Sequence, residues 1–121
     1  MYIIGIKSIL LNNAEAKCII YNNNWIKMIG RTATSPTTQI FNFVSLFGVV
    51  MRNVNYTVYL TPYNPGSGSG SETAIVRTKN VDSFSVGFNN TWTYVDWVVE
   101  DYAASITNFN KTKLIKTIKW S

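Results

Sequence analysis

The six carboxylates Glu15, Glu72, Asp82, Asp96, Glu100 and Asp101 are the acid–base groups that this chain can offer to a reaction, because it contains no histidine. Any general base would have to come from these or from a lysine of altered pKa. Hydrolysis of a glycosidic bond needs two carboxyls about 5 to 9.5 Å apart. Asp96 and Glu100 share one face of a strand-like run, yet four residues of strand separate them by about 13 Å at ~3.3 Å per residue. Glu72 adjoins a Gly/Ser stretch and makes a poor fixed acid. Cys18 is the single cysteine; in Lys17-Cys-Ile-Ile20 it reads as a small hydrophobe inside a strand, and no histidine is available to activate it. With one cysteine, no histidine and no Asp-x-Asp pattern, neither a disulfide framework nor a metal centre is expected. No Gly-rich motif opens a helix with a following Lys-Ser/Thr, so no phosphate cradle is expected. The expectation is a protein that is not an enzyme and carries no cofactor.

Groups suited to binding are easier to find. Tyr63 and Asn64 put an aromatic ring and an amide beside the loop Pro65-Gly-Ser-Gly-Ser-Gly-Ser71, a pairing used in binding surfaces. Asn89-Asn90-Thr-Trp92-Thr-Tyr94 forms a second turn whose Trp92 and Tyr94 alternate onto one strand face. Two readings stay open for these rings: core or subunit interface, since Trp97 and Val99 follow close behind, or a platform for a ligand.

The elements that would hold these groups are strands. Residues 54–62, 84–88 and 95–100 alternate apolar and polar side chains with the period of two that marks a half-buried strand. Residues 73–78 add another run, and turn signals separate all four, which predicts an all-β antiparallel sandwich. Upstream, residues 2–11 begin as a strand and a one-turn helix is expected over 13–17. Two β-rich runs around Asn22, Asn23 and Asn24 then predict a hairpin. The polar stretch 31–38, with Pro36, reads as a linker between an N-terminal β arm (1–30) and a sandwich domain (39–121). That sandwich opens with a strand over 39–45 and a turn at Phe47-Gly48. From Asp101 onward the pattern departs from strand and reads as an extended C-terminal tail, with Ile118 and Trp120 as anchors for docking on another subunit.

Composition narrows the class further. In 121 residues only 14% are charged, well below the ~25% usual for soluble domains, so much of the surface is uncharged or hidden in contacts. The net charge of +5 does not form a nucleic-acid footprint, because four lysines crowd the last eleven residues and the other basic groups are scattered. No run approaches the ~18 apolar residues of a membrane span, so neither membrane insertion nor nucleic acid is expected.

The order Phe43/Phe47, Val54-Asn-Tyr-Thr-Val, Val81-Asp-Ser-Phe-Ser-Val and Val95-Asp-Trp-Val-Val resembles the small β-sandwich at the C-terminal tips of bacteriophage tail fibres, which is similar to the H-type lectin fold. The likeness covers residues 39–102, and Tyr21-Asn-Asn-Asn-Trp25 resembles hairpins of phage structural proteins. The resemblance implies a homotrimer on the virion surface, contacts with other virion proteins, and a host-cell glycan or other receptor bound in clefts between subunits. It places Arg77 with Trp92 and Tyr94 near such a cleft. A capsid or tail accessory protein without a ligand is the second reading.

Overall fold

A computed structural model of the chain describes residues 1–11, 14–33, 38–63, 73–88 and 94–107. The strands are β1 (Ile3–Leu11), β2 (Ala14–Tyr21), β3 (Trp25–Ala33), β4 (Thr38–Asn42), β5 (Val49–Met51), β6 (Thr57–Tyr63), β7 (Ala74–Lys79), β8 (Ser83–Phe88) and β9 (Tyr94–Ile106), with one short helix, α1 (Phe43–Phe47). One sheet has the order β1-β2-β3-β9-β5, with β6 on the other side of β9; the second has the order β4-β8-β7. Every pairing is antiparallel, and the two sheets form the expected sandwich.

β9 is the hub. Its first part pairs with β3 on one side, from Trp25↔Tyr102 to Ala33↔Tyr94, and with β6 on the other, from Thr57↔Glu100 to Tyr63↔Tyr94. Its last part pairs with β5. Val95, Trp97 and Val99 are fully buried while Asp96, Val98 and Glu100 are only partly covered, as the alternation predicts. The indole of Trp97 packs at 5.2 Å from the ring of Phe41 and 5.7 Å from that of Phe84, so the larger sheet meets the smaller through aromatic contact. Phe43 extends the cluster to Phe84 and Tyr56, both at 5.6 Å.

The N-terminal hairpin forms around its asparagines: Asn24 takes a left-handed φ of 69° and donates its backbone N–H to the Tyr21 carbonyl at 3.1 Å. It is not set apart as an arm. Nine residues of β3 pair with β9, and Ile4, Cys18, Ile20, Ile26 and Met28 are buried in the same core as Trp97. Of the stretch expected as a linker, residues 34–37 lie outside the described residues; β3 of the larger sheet precedes them and β4 of the smaller follows. The helix expected over 13–17 is replaced by β2, because Ala16, Cys18 and Ile20 alternate into the core opposite β1; burial outweighs the local helix preference of Ala, Glu and Lys.

The strand expected over 39–45 stops at Asn42. Its side chain accepts from the Ser45 N–H at 3.0 Å and caps α1, and Gly48 ends the helix at φ 70°. Lys7 ties this end to β1 by donating from Nζ to the carbonyls of Phe47 (2.6 Å) and Thr107 (3.0 Å). β6 starts only at Thr57, since Tyr56 turns into the core with its hydroxyl 2.8 Å from the Asn80 carbonyl and 2.9 Å from that of Ser83. The strand pattern also persists past Asp101, to Ile106. Asp101 is buried, accepts from the Tyr102 N–H at 2.6 Å and pairs with Arg52 at 3.1 Å, so a charge that looked like the end of a strand is carried within it. The tail anchors Ile118 and Trp120 lie outside the described residues. No helix among those described is long and apolar enough to cross a membrane.

Two outcomes follow. A Cβ at Gly30 would stand 2.4 Å from Cζ2 of Trp97, inside a core with little room to yield, so Gly30→Ala should lower stability by about 3 kcal/mol in denaturant titration. Burial pushes the Cys18 thiol up from 9.0 to about 12 and the Tyr56 phenol up from 10.0 to about 12. Unfolded chains therefore lose these protons first, and stability falls as pH rises from 9 to 12. Burial holds Lys7 below the usual lysine range, which acts in the opposite sense. The denaturation midpoint should thus fall less steeply over this range in Cys18→Ala than in the parent chain.

Candidate functional site

The site is built by register. β6 and β9 pair so that Tyr63 stands opposite Tyr94 and Thr61 opposite Asp96, while β3 brings Arg31 against the other side of Asp96. Trp97 and Val95 point inward, so Tyr94 and Asp96 point outward from the larger sheet, away from the core. Tyr63 is 53% and Tyr94 40% exposed, so neither ring is core; for Tyr94 the choice between subunit interface and ligand platform stays open.

Arg31 and Asp96 form a two-pronged ion pair, with Nε to Oδ1 at 2.6 Å and Nη2 to Oδ2 at 3.1 Å. Planar pairing of this type fixes orientation better than a lysine contact does. The guanidinium carbon lies 6.0 Å from the centroid of the Tyr94 ring, at the limit of a cation–π contact. The hydrogen bond that Arg31 donates to Asp96 and the charge of that carboxylate hold the Arg31 pKa above its ordinary value, and the phenols of Tyr63 and Tyr94 add to the effect. Arg31 is therefore a permanent cation beside two half-exposed phenols. Glu100, the other carboxylate on this strand face, is paired with Lys27 at 3.6 Å.

Two of the residues predicted to bind, Tyr63 and Tyr94, are brought together. Asn64, Asn90 and Trp92 lie outside the described residues. Arg77 belongs elsewhere: its Nε sits 2.5 Å from where a Cβ on Gly87 would be. Gly87 alternates with the buried Val86 and Phe88 on β8, so Arg77 lies over the outer face of the smaller sheet. Stacked sheets are about 10 Å apart, and Arg77 and Tyr94 face away from each other across both. Arg31 and Asp96 are the residues that sequence reasoning missed. Asp96 shares strand parity with Tyr94, which was a usable signal; Arg31 is placed only by pairing with a strand more than sixty residues away in sequence.

Chemically, the cluster offers two ring faces, two hydroxyls and one plane of hydrogen-bond donors and acceptors. Those groups match a flat polyhydroxylated ligand. Among the described residues no three His, Cys, Asp or Glu side chains gather as a metal site. No protein-family model, curated protein or solved structure matches the chain.

Both partners of the ion pair are about half in solvent, and exposed pairs contribute little to stability. Asp96→Asn should therefore leave the denaturation midpoint unchanged while shifting the NMR ring resonances of Tyr94. A large loss of stability would show the pair to be structural instead.

Proposed function

We propose that this chain is a bacteriophage virion protein, a tail- or head-fibre tip that binds a host-cell surface glycan and catalyses no reaction. The observation that carries the reading is the cross-strand Tyr63–Tyr94 pair, half exposed beside the planar Arg31–Asp96 fork. Sugar rings present apolar C–H faces and equatorial hydroxyls. The tyrosines supply surfaces for the first, and the carboxylate and guanidinium supply partners for the second. The outward-facing site suits a contact with a cell surface. The uncharged polar composition and the likeness to phage fibre tips support the same assignment.

Such a site is shallow and binds each sugar weakly. Presentation of several copies on one particle, three in the homotrimer that the resemblance implies, would raise the effective affinity without new contacts. Virion proteins that carry the tip would be its other partners. A second reading, an accessory protein that stabilises a capsid or tail without a ligand, is favoured by the apolar residues on the same outer face as the tyrosines.

The test is a screen of the purified chain against bacterial surface oligosaccharides, followed by NMR titration of any that bind. Tyr94→Ala and Tyr63→Ala should each weaken binding by roughly tenfold or more without unfolding the protein, and Arg77→Ala should have no effect. Binding that survives both tyrosine substitutions, or a folded protein that binds no oligosaccharide, would overturn the assignment and leave the accessory role.

A further inference from the structure

The outward residues of β6 continue past the tyrosine pair. Strand alternation puts Thr57, Tyr59, Thr61 and Tyr63 on the outer face, because Val58 and Leu60 pack toward the core. Thr61 stands opposite Asp96 and so beside its fork with Arg31, while Tyr59 stands opposite Val98, one outward pair further along. Tyr59 is 54% exposed, as open as Tyr63. Four residues of strand place these two rings about 13 Å apart at ~3.3 Å per residue, a span longer than a single sugar ring. Between them lie a hydroxyl, a carboxylate and a guanidinium. Arg31 spends only its Nε proton and one Nη2 proton on Asp96, which leaves Nη1 and further carboxylate lone pairs open to a ligand.

Other aromatic rings on this face are engaged within the fold. Trp25 and Tyr102 pack edge to face at 5.0 Å, and Arg52 lies over Tyr102 at 4.9 Å. Tyr59 has no ring or cation contact of this kind among the described residues. Among those residues β6 also pairs with β9 alone, so no further strand borders its outer edge and the whole length of the strand is open to a ligand. An aromatic ring takes the apolar C–H face of one sugar, and polar groups take the hydroxyls beside its linkage to the next. Aromatic, polar and aromatic groups set in one line match a repeating molecule better than a single ring.

We infer that the site takes a linear run of linked sugars lying along β6. Tyr63 and Tyr94 hold one sugar, Thr61 and the Arg31–Asp96 fork receive the hydroxyls beside the linkage, and Tyr59 holds a second sugar. The inference rests on the glycan reading above and adds a length to it: the ligand is a chain segment and not a lone terminal sugar. Tyr59 is then the residue that selects for length.

The experiment is NMR titration of the full chain with fragments of increasing length, from the single sugar upward, cut from one linear polysaccharide of a bacterial surface. Affinity should rise by roughly tenfold or more once a fragment can reach from Tyr63 to Tyr59 and then level off. The ring resonances of Tyr59 should shift with the longer fragments only, a readout on the parent chain that needs no variant to fold. Tyr59→Thr removes the ring and keeps a residue favoured in strands; it should abolish most of the gain with length, and Tyr59→Phe should retain it. Ile40→Ala, at a position 72% exposed on β4 of the other sheet, should leave every affinity unchanged. Fragments that bind equally at every length, or a gain with length that survives Tyr59→Thr, would overturn the inference and leave the glycan site at Tyr63 and Tyr94 standing. A chain that binds no fragment of any length would remove the glycan reading itself, and this inference with it.

Discussion

The indole of Trp97 lies against the backbone of β3 at Gly30, and most of the architecture depends on that contact. Gly30 is the register partner of Trp97, and the absence of a side chain there lets the ring settle on the strand. Phe41 and Phe84 then pack on the indole from the smaller sheet. One side chain thereby joins two strands of one layer to two of the other. Its Nε1 is buried and has no hydrogen-bond partner among the described residues. An unpaired buried donor costs about 1 to 3 kcal/mol, which the apolar burial of so large a ring offsets. Shape, rather than polar satisfaction, holds the centre of this protein.

From that centre the placement of the outer groups follows by strand geometry. Once Trp97 faces inward, Tyr94, Asp96, Val98 and Glu100 face outward, and the registers of β3 and β6 decide what stands beside each of them. Tyr63 meets Tyr94, Arg31 meets Asp96, and Ile29 and Tyr59 flank Val98. A slip of one residue in either pairing would turn these side chains into the core and core residues into water, so register is strongly specified. The ends are tied by backbone contacts between layers and loops, with the Phe43 N–H on the Asp82 carbonyl at 2.7 Å and the Met51 N–H on that of Val81 at 2.8 Å.

The sandwich was legible in the sequence because β9 buries one face and β6 half-buries one through Val58 and Leu60, and period-two alternation survives wherever that is so. β8 hides the signal in part, since Ser85 and Gly87 are covered as well as its apolar residues. The integration of residues 1–33 was not legible. β3 finds its partner near the far end of the chain, and no local pattern encodes a contact between Gly30 and Trp97. α1 was missed because five residues are too few to show helical periodicity, although Asn42 and Gly48 carried its cap signals. For the site, Tyr94 could be assigned a face from strand parity. Arg77 could not, because its place over Gly87 depends on which strands share a sheet and which layer they form.

The central claim is that residues 1–33 and the rest of the described chain are one cooperative unit assembled around Trp97. Native-state hydrogen exchange tests it most directly. The account predicts that the amides of Ile26, Met28 and Gly30 in β3 are protected to the same free energy as those of Val95, Trp97 and Val99 in β9, and that Gly30→Ala lowers both sets together. Exchange from β1, β2 and β3 at a free energy well below that of β8 and β9 would contradict it, since the N-terminal strands would then open as an arm while the sandwich stayed closed.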